Sequence, residues 1–134
     1  MIRLDSIDHV VFRVADIDTS LRFYTEVLGA EVEKVQDGIG LWQLRAGTAL
    51  IDLVPLSGKL GRVGGAGPGA EGRNVDHVCF RLAEWDEAAI VAHLARHGFD
   101  TQVAQRYGAQ GEGPSIYLTD PDGNGLELKG PPAA

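Results

Sequence analysis

Cysteine is nearly missing from this chain of 134 residues, since Cys79 is the single one, and a disulfide within the chain is excluded. Small secreted domains commonly depend on disulfides, so this scarcity favours a cytoplasmic protein. No apolar run approaches the roughly 20 residues that a membrane-spanning helix needs. The first residues, MIRLDSIDHV, also lack the basic and apolar regions of a secretory signal. We therefore expect neither export nor a membrane partner.

Positive charge is scarce as well, because 12 Lys and Arg stand against 19 Asp and Glu, which gives a formal net charge of −7. Contacts to phosphates need a basic surface, so a nucleic-acid partner is not expected. Hydrophobic residues make up 44% of the chain, an ordinary share for a folded protein. A chain of this length can bury one core, and we predict a single domain over residues 1–134.

What the chain does have is an internal repeat. IDHVVFRVAD begins at Ile7 and VDHVCFRLAE begins at Val75, and six of the ten residues are identical. Each copy is followed by a helix-like stretch that ends near a glycine and then by three strand-like runs. The sequence therefore predicts an α+β fold of two βαβββ modules, at residues 5–56 and 74–130, joined by a glycine-rich linker at residues 57–73.

The first module shows how its helix is recognised. Leu21 and Tyr24 recur at helical spacing, Asp16 or Asp18 can cap the helix start, and Gly29 stands where a helix commonly ends. In the second module, DPDG at residues 120–123 fits a type I turn before the last strand. These signals predict where each module turns.

The repeated histidines are placed by strand alternation. Successive side chains of a strand point to opposite faces, so Phe12 and Phe80 share the helix-packed faces of their strands. His9 and His77 then point away from the helices. We expect both histidines to face whatever each sheet curls around.

Two carboxylates hold matching places on the last strand of each module, Asp52 in ALIDLVP and Glu127 in GLELK. A carboxylate between apolar neighbours on a sheet is costly unless it is paired or coordinated. Together with His9 and His77, these carboxylates form a donor set for a divalent metal such as zinc, nickel, iron or manganese. Duplicated placement of this kind is hard to obtain from packing alone.

Four stretches give the chain a resemblance to a known family: IDHVVFRVAD, SLRFYTEVLG, VDHVCFRL and YLTDPDGNGLEL. With them the chain resembles the vicinal oxygen chelate superfamily, also called the glyoxalase/bleomycin resistance/dioxygenase group, and in particular its small single-domain members. The resemblance implies that the two sheets curve round an open, barrel-like cavity with a metal at its floor. It also implies a small-molecule substrate that chelates the metal through adjacent oxygens.

The resemblance assigns roles by position. His9, His77 and Glu127 match the metal ligands, and Asp52 stands where glyoxalase I-like members have a longer Glu or Gln. Asp52 can then be a ligand, a ligand through water, a catalytic base or none of these, and Glu127 is the other candidate catalytic base. Because Asp52 is one methylene shorter, a strict glyoxalase I assignment does not follow.

Substrate contacts are expected near the end of the second module. Residues 106–114 are predicted to form a loop at the cavity mouth, where Arg106 could pair with an anionic substrate. Tyr117, on the following strand, could donate to a bound oxygen or could belong to the core. Trp42 occupies the matching strand of the first module and is interpreted as cavity wall or core.

Three interpretations of function remain open. The preferred one is a metal-dependent lyase or isomerase of glyoxalase type. The second is an extradiol-type dioxygenase with a His/His/Glu iron site, which usually needs a further histidine in the cavity. The spare histidines, His93 and His97, lie on a predicted outer helix, and a metal site there is not expected. The third is a drug-binding resistance protein without catalysis, and metal-assisted opening of an epoxide by a thiol is a further enzymatic variant.

Assembly follows from the module architecture. Two βαβββ modules expose sheet edges, and we therefore predict a homodimer. The sequence leaves open whether a cavity forms within one chain or across two.

Overall fold

The computed structural model describes residues 1–132. The chain divides after Asn74 into two compact units, the first Met1–Asn74 and the second beginning at Val75. Each unit carries a four-stranded sheet. In the described residues no helix is long and apolar enough to cross a membrane.

The first unit contains four strands and two α-helices. In chain order they are β1 (His9–Val14), α1 (Ile17–Arg22), β2 (Glu31–Gln36), β3 (Leu41–Ala46), β4 (Ala49–Pro55) and α2 (Lys59–Val63). A π-helical turn at Phe23–Val27 continues α1, and a 3₁₀ turn at Asp37–Ile39 precedes β3. The strand order is β1-β4-β3-β2, with β1 parallel to β4 and the other pairs antiparallel.

The second unit repeats this plan with four strands and one helix. They are β5 (His77–Arg81), α3 (Glu87–Arg96), β6 (Val103–Gly108), β7 (Gly111–Thr119) and β8 (Gly125–Lys129). The strand order is β5-β8-β7-β6, and β5 runs parallel to β8. The predicted α+β class and the βαβββ order of each half are confirmed.

Aspartates start the principal helices. Asp16, and not Asp18, caps α1 by accepting a hydrogen bond of 3.1 Å from the backbone N of Thr19. Asp86 accepts one of 3.1 Å from the backbone N of Ala89 at the start of α3. Each bond satisfies an N–H group that has no partner inside its helix.

The alternation predicted for the repeated strands is observed. On β1, Phe12 and Val14 are fully buried while His9 is exposed. On β5, the exposed His77, Cys79 and Arg81 alternate with the less exposed Val78 and Phe80. A strand whose apolar residues alternate in this way packs one face on the core, which leaves the histidine on the other face.

The turn predicted before the last strand is also present. The backbone N of Gly123 donates to the carbonyl of Asp120 at 3.0 Å. The Asp120 carboxylate accepts from the backbone N atoms of Asp122 and Asn124, each at 2.9 Å, and from the Asn124 side chain at 2.8 Å. These bonds fix the point at which β8 begins.

The predicted loop at residues 106–114 is wrong, because this stretch is a β-hairpin. Arg106 pairs with Gly113 and Gly108 pairs with Gly111, so that only residues 109–110 turn. Close packing requires glycine at one position of this hairpin. A Cβ at Gly113 would lie 2.6 Å from the carbonyl oxygen of Pro131.

The glycine-rich segment at 57–73 contains α2, which the sequence did not predict. The guanidinium of Arg13 holds its end by donating to the carbonyls of Gly61 at 2.8 Å, Ala66 at 3.1 Å and Gly65. A Cβ at Gly61 would lie 1.8 Å from the carbonyl oxygen of Pro55. Glycine is thus required where α2 meets the end of β4.

Candidate metal-binding site

The parallel pairing of the strands places a histidine and a carboxylate on one face of each sheet. In the first unit, Val11 of β1 is in register with Asp52 of β4, which puts His9 and Asp52 on the same face. In the second unit, Cys79 of β5 is in register with Glu127 of β8. Each half therefore brings together the histidine and the carboxylate that its sequence predicted.

Each histidine is held by the aspartate that precedes it. The Nδ1 atom of His9 lies 2.7 Å from a carboxylate oxygen of Asp8, and Nδ1 of His77 lies 2.7 Å from one of Asp76. A carboxylate on one ring nitrogen fixes the ring orientation and leaves Nε2 available, as is usual for histidines that bind metals. Sequence reasoning missed these aspartates, although the repeated Asp-His pair in the two strands was a visible signal.

Asp52 is a buried carboxylate that accepts long, weak hydrogen bonds from Gln43. It is 3% exposed, and the Gln43 side-chain amide lies 3.3 and 3.5 Å from its two carboxylate oxygens. Gln43 is itself oriented by Gln36, which donates to it at 2.9 Å. Burial raises the pKa of Asp52, and the amide of Gln43 and the nearby His9 only partly oppose this.

Two neighbouring carboxylates, those of Asp8 and Asp52, affect the pKa of His9. The hydrogen bond to Asp8 and the negative charge of Asp52 raise the pKa of the imidazole above its ordinary value. The side chain is nearly half exposed, which weakens these effects. The first unit therefore offers an accessible imidazole beside a buried carboxylate.

Glu127 sits in a more strongly bonded environment than Asp52. Ser115 Oγ donates to its Oε2 atom at 2.6 Å, and Nε2 of His77 lies 3.4 Å from its Oε1 atom. Burial alone would raise the pKa of Glu127, but hydrogen bonds from Ser115, Tyr117 and Cys79 outweigh it and lower the pKa. The second unit thus favours an ionised carboxylate.

Tyr117 and Arg106 join this group. Tyr117 is in register with Glu127, and its ring centroid lies 6.0 Å from that of His77. The Arg106 guanidinium stands over the Tyr117 ring at 5.8 Å from the centroid. Both predicted substrate contacts therefore lie on the face that carries His77 and Glu127, on paired strands rather than on a loop.

Trp42 lies on the other face of its sheet. It is in register with the buried Leu53, whereas the residue in register with Asp52 is Gln43. Gln43 therefore holds the position in the first unit that Tyr117 holds in the second. Sequence reasoning missed Gln43 because a shift of one residue in strand register exchanges the two faces.

The donor set suits a divalent metal by its chemistry. Within residues 1–132, no group of three or more His, Cys, Asp and Glu side chains is placed to hold a metal ion. Each half nevertheless presents an imidazole oriented by a carboxylate and a second, buried carboxylate, which are good ligands for zinc, nickel, iron or manganese. The other histidine pair, His93 and His97, lies at the end of α3 with ring centroids 4.8 Å apart.

Comparison with known proteins agrees with this architecture. The model of the Glyoxalase/Bleomycin resistance protein/Dioxygenase superfamily matches residues 6–128. A virulence protein of Salmonella typhimurium is 29% identical over 132 residues, which cover 93% of this chain and 83% of that protein. Its crystal structure has a TM-score of 0.77 at 30% identity, covering 97% of this chain and 99% of the other.

Two further crystal structures share the fold at lower identity. Lactoylglutathione lyase from Agrobacterium tumefaciens has a TM-score of 0.68 at 20% identity, covering 96% of this chain and 95% of that one. An antibiotic binding protein from a Streptomyces species has a TM-score of 0.64 at 20% identity, covering 98% and 99%. With a family match that spans nearly the whole chain and two βαβββ halves that carry matching histidines and carboxylates, this chain belongs to the glyoxalase/bleomycin resistance/dioxygenase superfamily.

Proposed function

We propose that this protein is a divalent-metal-dependent enzyme of the glyoxalase type, a lyase or isomerase acting on a small substrate that presents two adjacent oxygens. The observation that carries the proposal is the duplicated pair of an aspartate-held histidine and a buried carboxylate. His9 with Asp52 and His77 with Glu127 occupy the same places in the two halves. Packing alone does not require polar groups at both places.

His9, His77 and Glu127 would hold the metal, with Asp52 as a further ligand or as a base. The bound metal supplies a Lewis acid that polarises the substrate's adjacent oxygens. The proposal applies equally to a site built from one chain or from two, and to zinc, nickel, iron or manganese. Metal analysis of protein purified without chelators decides among these ions.

Proton transfer is assigned to the carboxylates on the site faces. Glu127 already accepts a short hydrogen bond of 2.6 Å from Ser115. Asp52 has only the longer contacts of 3.3 and 3.5 Å from Gln43. Asp52 therefore makes the weaker hydrogen bonds of the two carboxylates and is the better candidate to accept a proton from the substrate.

Arg106 and Tyr117 would bind the substrate. Arg106 is exposed, and its guanidinium retains donors beyond the one that it gives to its neighbouring carbonyl of Gln105 at 2.8 Å. An anionic group on the substrate would pair with these donors. The Tyr117 hydroxyl, which hydrogen-bonds Glu127, would exchange that bond for one to a substrate oxygen.

The dioxygenase and drug-binding alternatives make different demands. Oxygen-dependent ring cleavage usually employs another acid or base, and the other two histidines lie elsewhere, His93 on α3 and His97 directly after it. A drug-binding protein without catalysis would not need the aspartate-held histidines. The antibiotic binding protein of the same fold makes sequestration worth testing, although that likeness concerns the fold alone.

One experiment separates the three. The metal-loaded protein is assayed against thiol adducts of 2-oxoaldehydes, epoxides and catechols, with and without dissolved oxygen. We expect turnover that does not depend on oxygen and that zinc supports. Turnover of a catechol only with iron(II) and oxygen would support the dioxygenase, and tight drug binding by metal-free protein without any turnover would support sequestration.

A further inference from the structure

Strand β8 buries a lysine two residues after Glu127. Lys129 is 3% exposed, and lysines are seldom so buried unless they are paired. Its Nζ atom donates to the carbonyls of Arg106 at 2.5 Å and Gly113 at 3.3 Å and to Ser115 Oγ at 3.2 Å. These three acceptors account for the three protons of the ammonium group.

The bonds around Ser115 can run in one direction only. An ammonium group has no lone pair, so Ser115 Oγ must accept from Lys129. The single proton of the hydroxyl is then left for Oε2 of Glu127, which it meets at 2.6 Å. Glu127 therefore receives a hydrogen bond of fixed polarity on Oε2, while Oε1 faces His77 at 3.4 Å.

The packing around Lys129 accommodates its long side chain. A Cβ at Gly108 would lie 2.7 Å from the Lys129 Cε atom, so the lack of a side chain at Gly108 makes room for the lysine. The position in the first half that corresponds to Lys129 is Val54, because Val54 is in register with Arg13 as Lys129 is in register with Arg81. A valine fills this position without any polar partner, and packing therefore does not demand the lysine.

We propose that Lys129 and Ser115 are positioning residues, which orient the Glu127 carboxylate and keep its Oε1 atom available to the metal. This inference rests on the metal site of the proposed function. It assigns a role to two buried polar residues, neither of which is itself a ligand. Loss of a hydrogen-bonding partner behind a ligand typically weakens metal binding by about 10- to 100-fold.

The test measures zinc affinity of the full chain by competition with a chromophoric chelator. We expect Ser115→Ala and Lys129→Met each to weaken binding about 10- to 100-fold, and Ser115→Thr to retain it because the hydroxyl is kept. The double variant should lose little more than either single variant, since both act along one path. Thr119→Ala, at an exposed residue on the same face of β7, serves as the control and should bind normally.

Thermal unfolding followed by circular dichroism identifies any variant that fails to fold. If Lys129→Met fails to fold, the zinc affinity of Ser115→Ala decides the test. Zinc affinity unchanged in Ser115→Ala would overturn the inference and leave the metal site intact. The inference would also be overturned if the losses of zinc affinity in the two single variants multiplied in the double variant.

If the wild-type protein takes up no zinc, nickel, iron or manganese, the proposed function fails. The orientation of the Glu127 carboxylate is then measured in the metal-free protein. The carboxyl ¹³C resonance of Glu127, assigned with Glu127→Gln, should then shift in Ser115→Ala and not in Thr119→Ala. An unchanged resonance would overturn the inference.

Discussion

The Nε2 atom of His77 lies 3.4 Å from the Oε1 atom of Glu127, and these two side chains come from the parallel strands β5 and β8. Asp76 holds the other ring nitrogen of His77 at 2.7 Å, and Ser115 holds the other oxygen of Glu127 at 2.6 Å. Both side chains are therefore oriented from behind, with their remaining polar atoms directed at one another.

Replacement of His77 by alanine should abolish metal uptake. His77 is a proposed ligand, and metal that binds only the folded protein stabilises it, so the melting temperature of the zinc-treated variant should fall towards that of the metal-free protein. His97→Ala, at the residue that follows α3, is the matched control and should bind about as much metal as the wild type. Elemental analysis gives the stoichiometry, and equal metal content in both variants would contradict the assignment.

The aspartates beside the histidines should matter nearly as much as the ligands. Asp8→Asn and Asp76→Asn each replace a charged partner of a ring nitrogen, now at 2.7 Å, by a neutral one. We expect each change to weaken zinc binding about 10- to 100-fold. Asp100→Asn, outside both sites, controls for the loss of one negative charge, and a similar loss there would show that net charge alone is responsible.

Asp52 can be tested for its two possible roles. If it is a direct ligand or the base, Asp52→Asn should weaken metal binding or stop turnover. A loss of rate with unchanged metal affinity would identify the base, because the variant keeps the shape of the side chain and removes its charge. Should both affinity and rate survive, Asp52 takes no part, and His9, His77 and Glu127 remain as the ligands.

The reactivity of Cys79 should report on the charge of Glu127. Burial and the neighbouring Glu127 carboxylate raise the pKa of this thiol to about 11. The thiolate is the reactive form, so alkylation of the metal-free protein by iodoacetamide should accelerate about tenfold per pH unit between pH 7 and 9. Glu127→Gln removes one cause of the raised pKa, so Cys79 should then react faster at pH 8.

Light scattering tests the predicted homodimer. β1 and β2 are the edge strands of the first sheet and β5 and β6 those of the second, and an edge strand can pair with another chain. We expect a mass of about twice the 14.3 kDa of one chain at micromolar concentration. A monomer under those conditions would refute the prediction.

Much of the fold could be predicted from the sequence because its signals are local. The repeat with its central histidine, the capping aspartate Asp16 and the turn that begins at Asp120 each act over a few residues. Strand alternation then assigned His9 and His77 to the faces opposite the apolar core residues. The pairing of each histidine with a carboxylate followed from the same alternation.

Tertiary structure alone decided the contacts that depend on strand register and close approach. Register placed Gln43, and not Trp42, beside Asp52, since a shift of one residue reverses the face of every side chain. It also brought Ser115 and Lys129 together behind Glu127. The sequence determined which residues can be polar and which must be buried, and the pairing of the strands decided which of them meet.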